Sequence, residues 1–212
     1  MAATPSRPAA GIVLAGGRSS RMGTPKAWLD WHGTPLLART VSVLGDAVDG
    51  PLVVVRAAAQ DLPALADGVE VVDDPVPDLG PLPAIGVGLE AVGDTVDRAF
   101  VAAVDMPLLV PAFVTCVLDA LGADDDVALP VAHGHHQPLA AVYRTSLTGL
   151  IRDLTATGDG RPPSLFDRCR VRHLTEDELR AALVTDDPGL ASLTNVNTPE
   201  EYARARDERP GR

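Results

Sequence analysis

A single lysine, Lys26, stands among 212 residues that carry 17 arginines, and Asn195 and Asn197 are the only asparagines. Cysteine is nearly as scarce. Cys116 and Cys169 form neither a metal-ligand spacing nor a disulfide framework, which excludes a stapled secreted scaffold and fits a reduced cytoplasmic setting. Aromatic residues are only 3% of the chain, and no long uninterrupted apolar run exists. The N-terminal apolar run, "GIVLA", is shorter than the roughly 7–15 residues of a secretory core. The richest apolar region, 99–118, contains Asp105, Pro107 and Pro111. A central aspartate costs about 2.5–3.5 kcal/mol on membrane insertion, so a membrane span is excluded. The formal net charge of −11, with no basic stripe, argues against nucleic acid as the partner.

What is present is a 46% hydrophobic content arranged in short runs between helix-length segments. Strands are expected at 11–15, 52–55, 69–72, 99–104 and 127–130, with shorter ones at 139–143, 171–174 and 192–196. Helices are expected at 35–44, 83–92, 111–121, 145–154, 175–183 and 199–206, several entered by proline or threonine. Near-continuous apolar strands alternating with helices predict one Rossmann-like, three-layer α/β domain with a mostly parallel sheet. It should span residues 10–206, between flexible tails at 1–9 and 207–212.

Ligands in such sheets lie beyond the carboxyl ends of the strands. After the first strand comes "LAGGRSSRMGTPK", where glycines bare the backbone amides and Arg18, Arg21 and Lys26 add positive charge. That combination is an anion-binding concavity, although it is neither a Walker A loop nor G-x-G-x-x-G. Arginine replaces lysine wherever charge alone suffices in this chain, so the one retained lysine marks a place where a compact ammonium is needed. After the third strand come Asp73 and Asp74, then Gly80, Gly86 and Gly88. After the fourth comes Asp105. An aspartate before a helix is usually a cap, but Pro107 and Pro111 place the helix start too late for Asp105. Carboxylates at two strand ends and cations at a third suit Mg²⁺ with a nucleoside triphosphate. No nucleophile–base pair stands out, which agrees with phosphoryl-type transfer. "HGHHQPL" reads as a turn between strands rather than a zinc site. Thr198 and Glu201 read as a capping box.

Five segments together, "LAGGRSSRMGTPKAWL", "DDPVPDLGPL", "VDMPLL", "QPLAAVY" and "LTNVNTPEE", resemble the molybdenum cofactor guanylyltransferases of the nucleotidyltransferase superfamily over about residues 11–202. The resemblance implies transfer of GMP from GTP to the terminal phosphate of molybdopterin, with Mg²⁺ required and pyrophosphate released. It implies that Leu14, Ala15, Gly16, Gly17, Asp74 and Gly80 bind the nucleotide. Lys26 and Arg21 would contact the phosphates, and Asp105 would hold the metal. Gln137, Pro138, Asn195 and Asn197 would lie towards the pterin. It also implies metal-free or molybdenum-loaded molybdopterin as acceptor, and molybdoenzyme maturation proteins as partners. The family commonly has "GPLAG" where this chain has "GPLPA"; Pro83 lacks an N–H and Ala84 resists positive φ, which bears on how closely the backbone meets the ligand.

Three other readings remain. A cytidylyltransferase usually shows "LAAG" and "DQP" instead of "LAGG" and "DMP". A sugar-phosphate nucleotidyltransferase is usually longer. A catalytically inactive nucleotide-binding partner protein would not need Lys26, Asp74 and Asp105 together. The leading reading requires Lys26 and Asp105 to share one site.

Overall fold

In the computed structural model, residues 8–16, 24–76 and 78–208 are described. The chain runs β1 (Ala10–Leu14), a 3-10 turn (Lys26–Trp28), β2 (Asp30–Trp31), β3 (Thr34–Pro35), α1 (Leu36–Ala47), β4 (Leu52–Ala57), β5 (Glu70–Asp74) and α2 (Pro81–Val92). It continues through β6 (Arg98–Ala103), α3 (Pro111–Asp119), β7 (Val127–Ala132), β8 (His135–His136) and β9 (Ala140–Arg144). The last part holds α4 (Thr148–Ala156), α5 (Pro162–Phe166), β10 (Val171–Leu174), α6 (Glu176–Ala182) and α7 (Pro199–Asp207).

The main sheet has eight strands in the order β10-β7-β9-β6-β1-β4-β5, with β8 added to β7. The pairs β1–β4, β1–β6, β4–β5 and β7–β10 are parallel, whereas β9 runs antiparallel to both β6 and β7. Alternation along each strand divides the core. Val13, Phe100 and Ala102 face α1, α3, α6 and α7, while Ile12, Leu14 and Val101 face α2, α4 and α5. Both faces are therefore covered, which is why β1, β4 and β6 read as near-continuous apolar runs.

The expected 192–196 strand is not formed. Residues 191–193 make a 3-10 turn instead, because the Asp187 carboxylate accepts the N–H groups of Ala191 and Ser192 at 2.7 and 3.1 Å. Nor could this segment join the sheet beside β6, whose two edges are occupied by β1 and β9. Helix α2 starts at Pro81 rather than Pro83, with Gly80 before it at φ 116°. Pro83 thus falls in the first turn, where its missing N–H has no intrahelical partner to lose. At the amino end, Ala9 is already buried and its N–H donates to Asp49 Oδ1 at 3.0 Å. At the other end, α7 includes Asp207. Among the described residues no helix is long and apolar enough to cross a membrane.

Candidate active site

The carboxyl ends of β1, β4, β5 and β6 open onto a cavity of about 710 Å³. Leu14, Ala15, Gly16, Lys26, Asp74, Gly80 and Asp105 all line it, so the sequence reading converges on one place. Gly17 and Arg21, with Arg18, lie outside the described residues.

Two backbone bonds bring the strand ends into register. Val104 N–H donates to the Leu14 carbonyl at 3.1 Å, and Ala15 N–H donates to the Val55 carbonyl at 2.8 Å. Gly16 then passes so close to β4 that an added Cβ would stand 3.2 Å from the Ala57 nitrogen. Only a residue without a side chain fits comfortably between that strand and the cavity.

At the β6 side, Lys26 Nζ donates to Asp105 Oδ2 at 2.8 Å and to Asn197 Oδ1 at 2.9 Å. The pair is mostly shielded: the Lys26 and Asp105 side chains retain 16% and 21% of their exposure. Asp105 does not cap α3, whose N-cap is Val110. Its backbone carbonyl instead accepts Val196 N–H at 2.9 Å, which draws the segment before α7 over the site. The next turn is fastened by Glu201, whose Oε2 accepts the N–H groups of Asn197 and Thr198 at 2.6 and 3.1 Å. Thr198 Oγ1 accepts Glu201 N–H in return and completes the expected capping box. Farther along α7, Tyr202 and Arg206 donate to the carbonyl and carboxylate of Asp30, in the hairpin that follows Lys26.

The opposite wall holds groups that the sequence reading passed over. Arg56, at the end of β4, donates from Nε to Asp73 Oδ1 at 2.7 Å and from Nη1 to the Gln60 carbonyl at 3.0 Å. Gln60 bridges the two strand ends, accepting Ala57 N–H and donating to the Ala15 carbonyl, each at 3.1 Å. The available signal was Arg56 directly after the apolar run "LVVV". Asp74 lines the cavity and also accepts Val76 N–H at 3.0 Å, so the carboxylate helps to shape its own loop. Ala84 belongs to the wall as part of α2.

The four residues expected on the pterin side separate. Asn197 meets Lys26. Asn195 is exposed in the preceding segment. Gln137 Nε2 donates to the Ala132 and His135 carbonyls at 3.3 and 3.4 Å, stapling the β7–β8 hairpin. The Pro138 carbonyl accepts from the buried Tyr143 hydroxyl at 2.8 Å, leaving Leu139 as their neighbour that lines the cavity. The histidine stretch forms the expected turn, with His133 and Gly134 at φ 54° and 75°.

The donor set decides what metal could be held. Among the described residues no group of three or more His, Cys, Asp or Glu side chains converges on one point. Carboxylates at separate strand ends of one cavity, Asp74 and Asp105, suit a hard ion completed by phosphate oxygens and water, and do not suit a zinc cage.

The MobA-like NTP transferase domain model matches residues 11–174. A curated Mycobacterium tuberculosis protein named probable molybdenum cofactor guanylyltransferase is 40% identical over 195 residues, covering 90% of each chain. Its Mycobacterium marinum counterpart, with the same name, is 39% identical over 193 residues and covers 89% of each. Among solved structures, molybdopterin-guanine dinucleotide biosynthesis protein A from Archaeoglobus fulgidus superposes with a TM-score of 0.72 at 23% identity. That match covers 93% of this chain and 97% of the other. A Mycobacterium tuberculosis protein solved with manganese has a TM-score of 0.66 at 21% identity, covering 95% of this chain and 100% of its own. At these identities the structural matches speak for the fold alone.

Proposed function

Because the chain belongs to the MobA-like NTP transferase family, we propose that it transfers GMP from GTP to the terminal phosphate of molybdopterin, releasing pyrophosphate with the help of Mg²⁺. The observation that carries this reading is the contact of Lys26 with Asp105 at 2.8 Å, inside a cavity lined by four strand ends. A nucleotidyltransferase needs an ammonium and a hard-cation ligand within one triphosphate's reach, and here they touch. Guanine as the base is supported by the names of the relatives at 40% and 39% identity.

In this reading the acceptor's phosphate oxygen attacks the α-phosphorus in line. The new P–O bond forms as the bond to pyrophosphate breaks. A phosphomonoester is already ionised at neutral pH, so no strong base is required. Asp105 would hold the divalent ion, which when bound neutralises charge on the phosphate oxygens. Gly16, packed closely against β4, would leave its backbone open to the nucleotide, and Lys26 would offset charge on the departing pyrophosphate. Gln60 and Arg56 tie the β1 and β4 ends together, so this wall of the cavity would be positioned before the ligand arrives.

The test is pyrophosphate release from GTP, CTP, ATP and UTP, each with Mg²⁺ and molybdopterin. Release with GTP alone is expected, and Lys26→Ala should lower turnover by well over about tenfold, as loss of a phosphate clamp does, with the melting profile preserved. Preference for CTP would transfer the assignment to the cytidylyltransferases. Release with none of the four would leave a nucleotide-binding partner protein.

A further inference from the structure

Among the described residues, Lys26 Nζ is shared between two oxygens of different character. Asp105 Oδ2 is anionic and lies at 2.8 Å, whereas Asn197 Oδ1 is neutral and lies at 2.9 Å. A hard divalent ion and an ammonium seek the same lone pairs on Oδ2. On one carboxylate the two compete, since Mg²⁺ must approach an oxygen to about 2.0–2.1 Å and repels a neighbouring cation, so the bound ammonium weakens the metal's hold. No alternative cluster of three or more acidic, histidine or cysteine ligands exists among the described residues to tip the competition towards the metal. A triphosphate tips it, because its oxygens complete the metal's shell and simultaneously give the ammonium new anionic partners.

Asn197 is placed to hold the lysine through that exchange. The Asn197 N–H is fixed by Glu201 at 2.6 Å, and the Val196 N–H ties the same segment to the Asp105 carbonyl at 2.9 Å. The Asn197 backbone is therefore held beside the lysine, and its neutral amide oxygen accepts from the ammonium while attracting the metal less than a carboxylate would. The choice of cation agrees. An arginine fork would grip Asp105 at two points, while a lysine releases one oxygen and turns to another. Seventeen arginines and one lysine stand in the chain, and the lysine stands here.

We infer that in the nucleotide-free protein the Lys26 ammonium stands in for the divalent ion on Asp105, with Asn197 as a positioning residue that retains the lysine when the ion displaces it. Metal and nucleoside triphosphate then bind as a coupled pair, each favouring the other. This rests on the proposed function only in sending the metal to Asp105.

The experiment titrates Mn²⁺ into the full chain by electron paramagnetic resonance, with and without a non-hydrolysable GTP analogue. Without nucleotide, Lys26→Gln and Lys26→Met should each bind Mn²⁺ about tenfold more tightly than the native protein, an ordinary size for coupling between sites. The analogue, whose triphosphate completes the metal's shell in every variant, should tighten Mn²⁺ binding to the native protein by about tenfold more than it does to the two neutral variants. Lys26→Arg, which keeps the charge, should stay weak in both conditions; a general field effect would instead make it behave as the native protein does. Asn197→Ala should show a smaller enhancement than native. The sole lysine supplies an independent signal. Selective ¹³C-lysine labelling gives one ε-methylene resonance, which should move when Mg²⁺ and the analogue are added together and return towards its starting position when the metal is chelated. Equal nucleotide-free Mn²⁺ affinity in the native protein and both neutral variants would overturn the inference, whatever GTP does. Tighter Mn²⁺ binding in those variants together with no response to GTP would uphold the stand-in and overturn the proposed nucleotide instead.

Discussion

Gly80→Ala probes the wall of the cavity where α2 begins. Gly80 has φ 116° and ψ −179°, a region closed to residues with a side chain, and placing alanine there costs on the order of 1–3 kcal/mol. A second effect comes from packing. The added Cβ would lie 2.5 Å from the Gly160 carbonyl oxygen and 3.1 Å from its carbon, both backbone atoms. Relieving that clash moves the 158–161 loop and weakens the bond from Leu82 N–H to the Gly160 carbonyl, now 3.1 Å. Losing it costs about 1 kcal/mol, giving a total of roughly 2–4 kcal/mol. For a domain of this size each kcal/mol lowers Tm by about 2–4 °C, so a fall of roughly 4–16 °C is expected. Gly68→Ala is the control. Its φ of +85° carries conformational strain, but no atom lies within 4 Å of the new Cβ. It should lose only about 1–2 kcal/mol. Paired urea and thermal denaturation measures the difference. If the two variants agree within about 0.5 kcal/mol, the usual scatter of inconsequential substitutions, then the Gly160 contact contributes nothing and the reasoning fails.

Other consequences are open to equally direct measurement. Glu201→Ala removes the acceptor for the Asn197 and Thr198 N–H groups and should cost about 0.5–2 kcal/mol in thermal unfolding, with a drop in turnover that exceeds the stability loss. Phe113→Ala, fully buried and edge-on to Phe100 at 6.5 Å, should cost about 3–5 kcal/mol by chemical denaturation. The Glu178 carboxyl is held at about 2 by its Arg172 hydrogen bond and then by the Thr175 backbone and hydroxyl. Its folded value lies below its unfolded one, so its stabilising effect is complete above the ordinary glutamate range and fades as pH falls towards 2. Glu178→Gln should therefore flatten that part of the acid-unfolding curve.

The strands that position the site were legible because of where they lie. β1, β4 and β6 are covered on both faces, so burial writes itself as unbroken apolar sequence, and β10 was anticipated at 171–174 without error. The same signal misled at 192–196. There the apolar positions Leu193 and Val196 are buried beneath a turn, and no free strand edge was available beside β6. The β2–β3 hairpin escaped notice because two-residue strands carry no periodicity, although His32 and Gly33 at φ 50° and 89° form its turn. Helix α5 was hidden in "RPPSLFD", which reads as loop until Pro162 is placed at the first helical position. Within the site, the strand-end rule found Lys26, Asp74 and Asp105 from sequence. It could not find the hold of Asn197 on Lys26, which spans 171 positions and depends on α7 docking against the hairpin after Lys26.

Under the proposed function, a chain of net charge −11 would have to meet a polyanion by concentrating a few positive groups rather than by its overall field. The arginines near the sheet are mostly committed to permanent structural tasks: Arg56 to Asp73, Arg144 to Asp97, and Arg206 to Asp30. In each case a guanidinium joins two separate segments of the fold. Among the described residues Lys26 is bound differently, its single ammonium reaching a carboxylate and an amide. Such a bond can be exchanged for a phosphate oxygen with little rearrangement of the backbone. The division of labour between the two cations follows from that difference. Where this fold bridges strand ends it uses arginine, and under the proposed function the charge handed to an incoming ligand would be that of its one lysine.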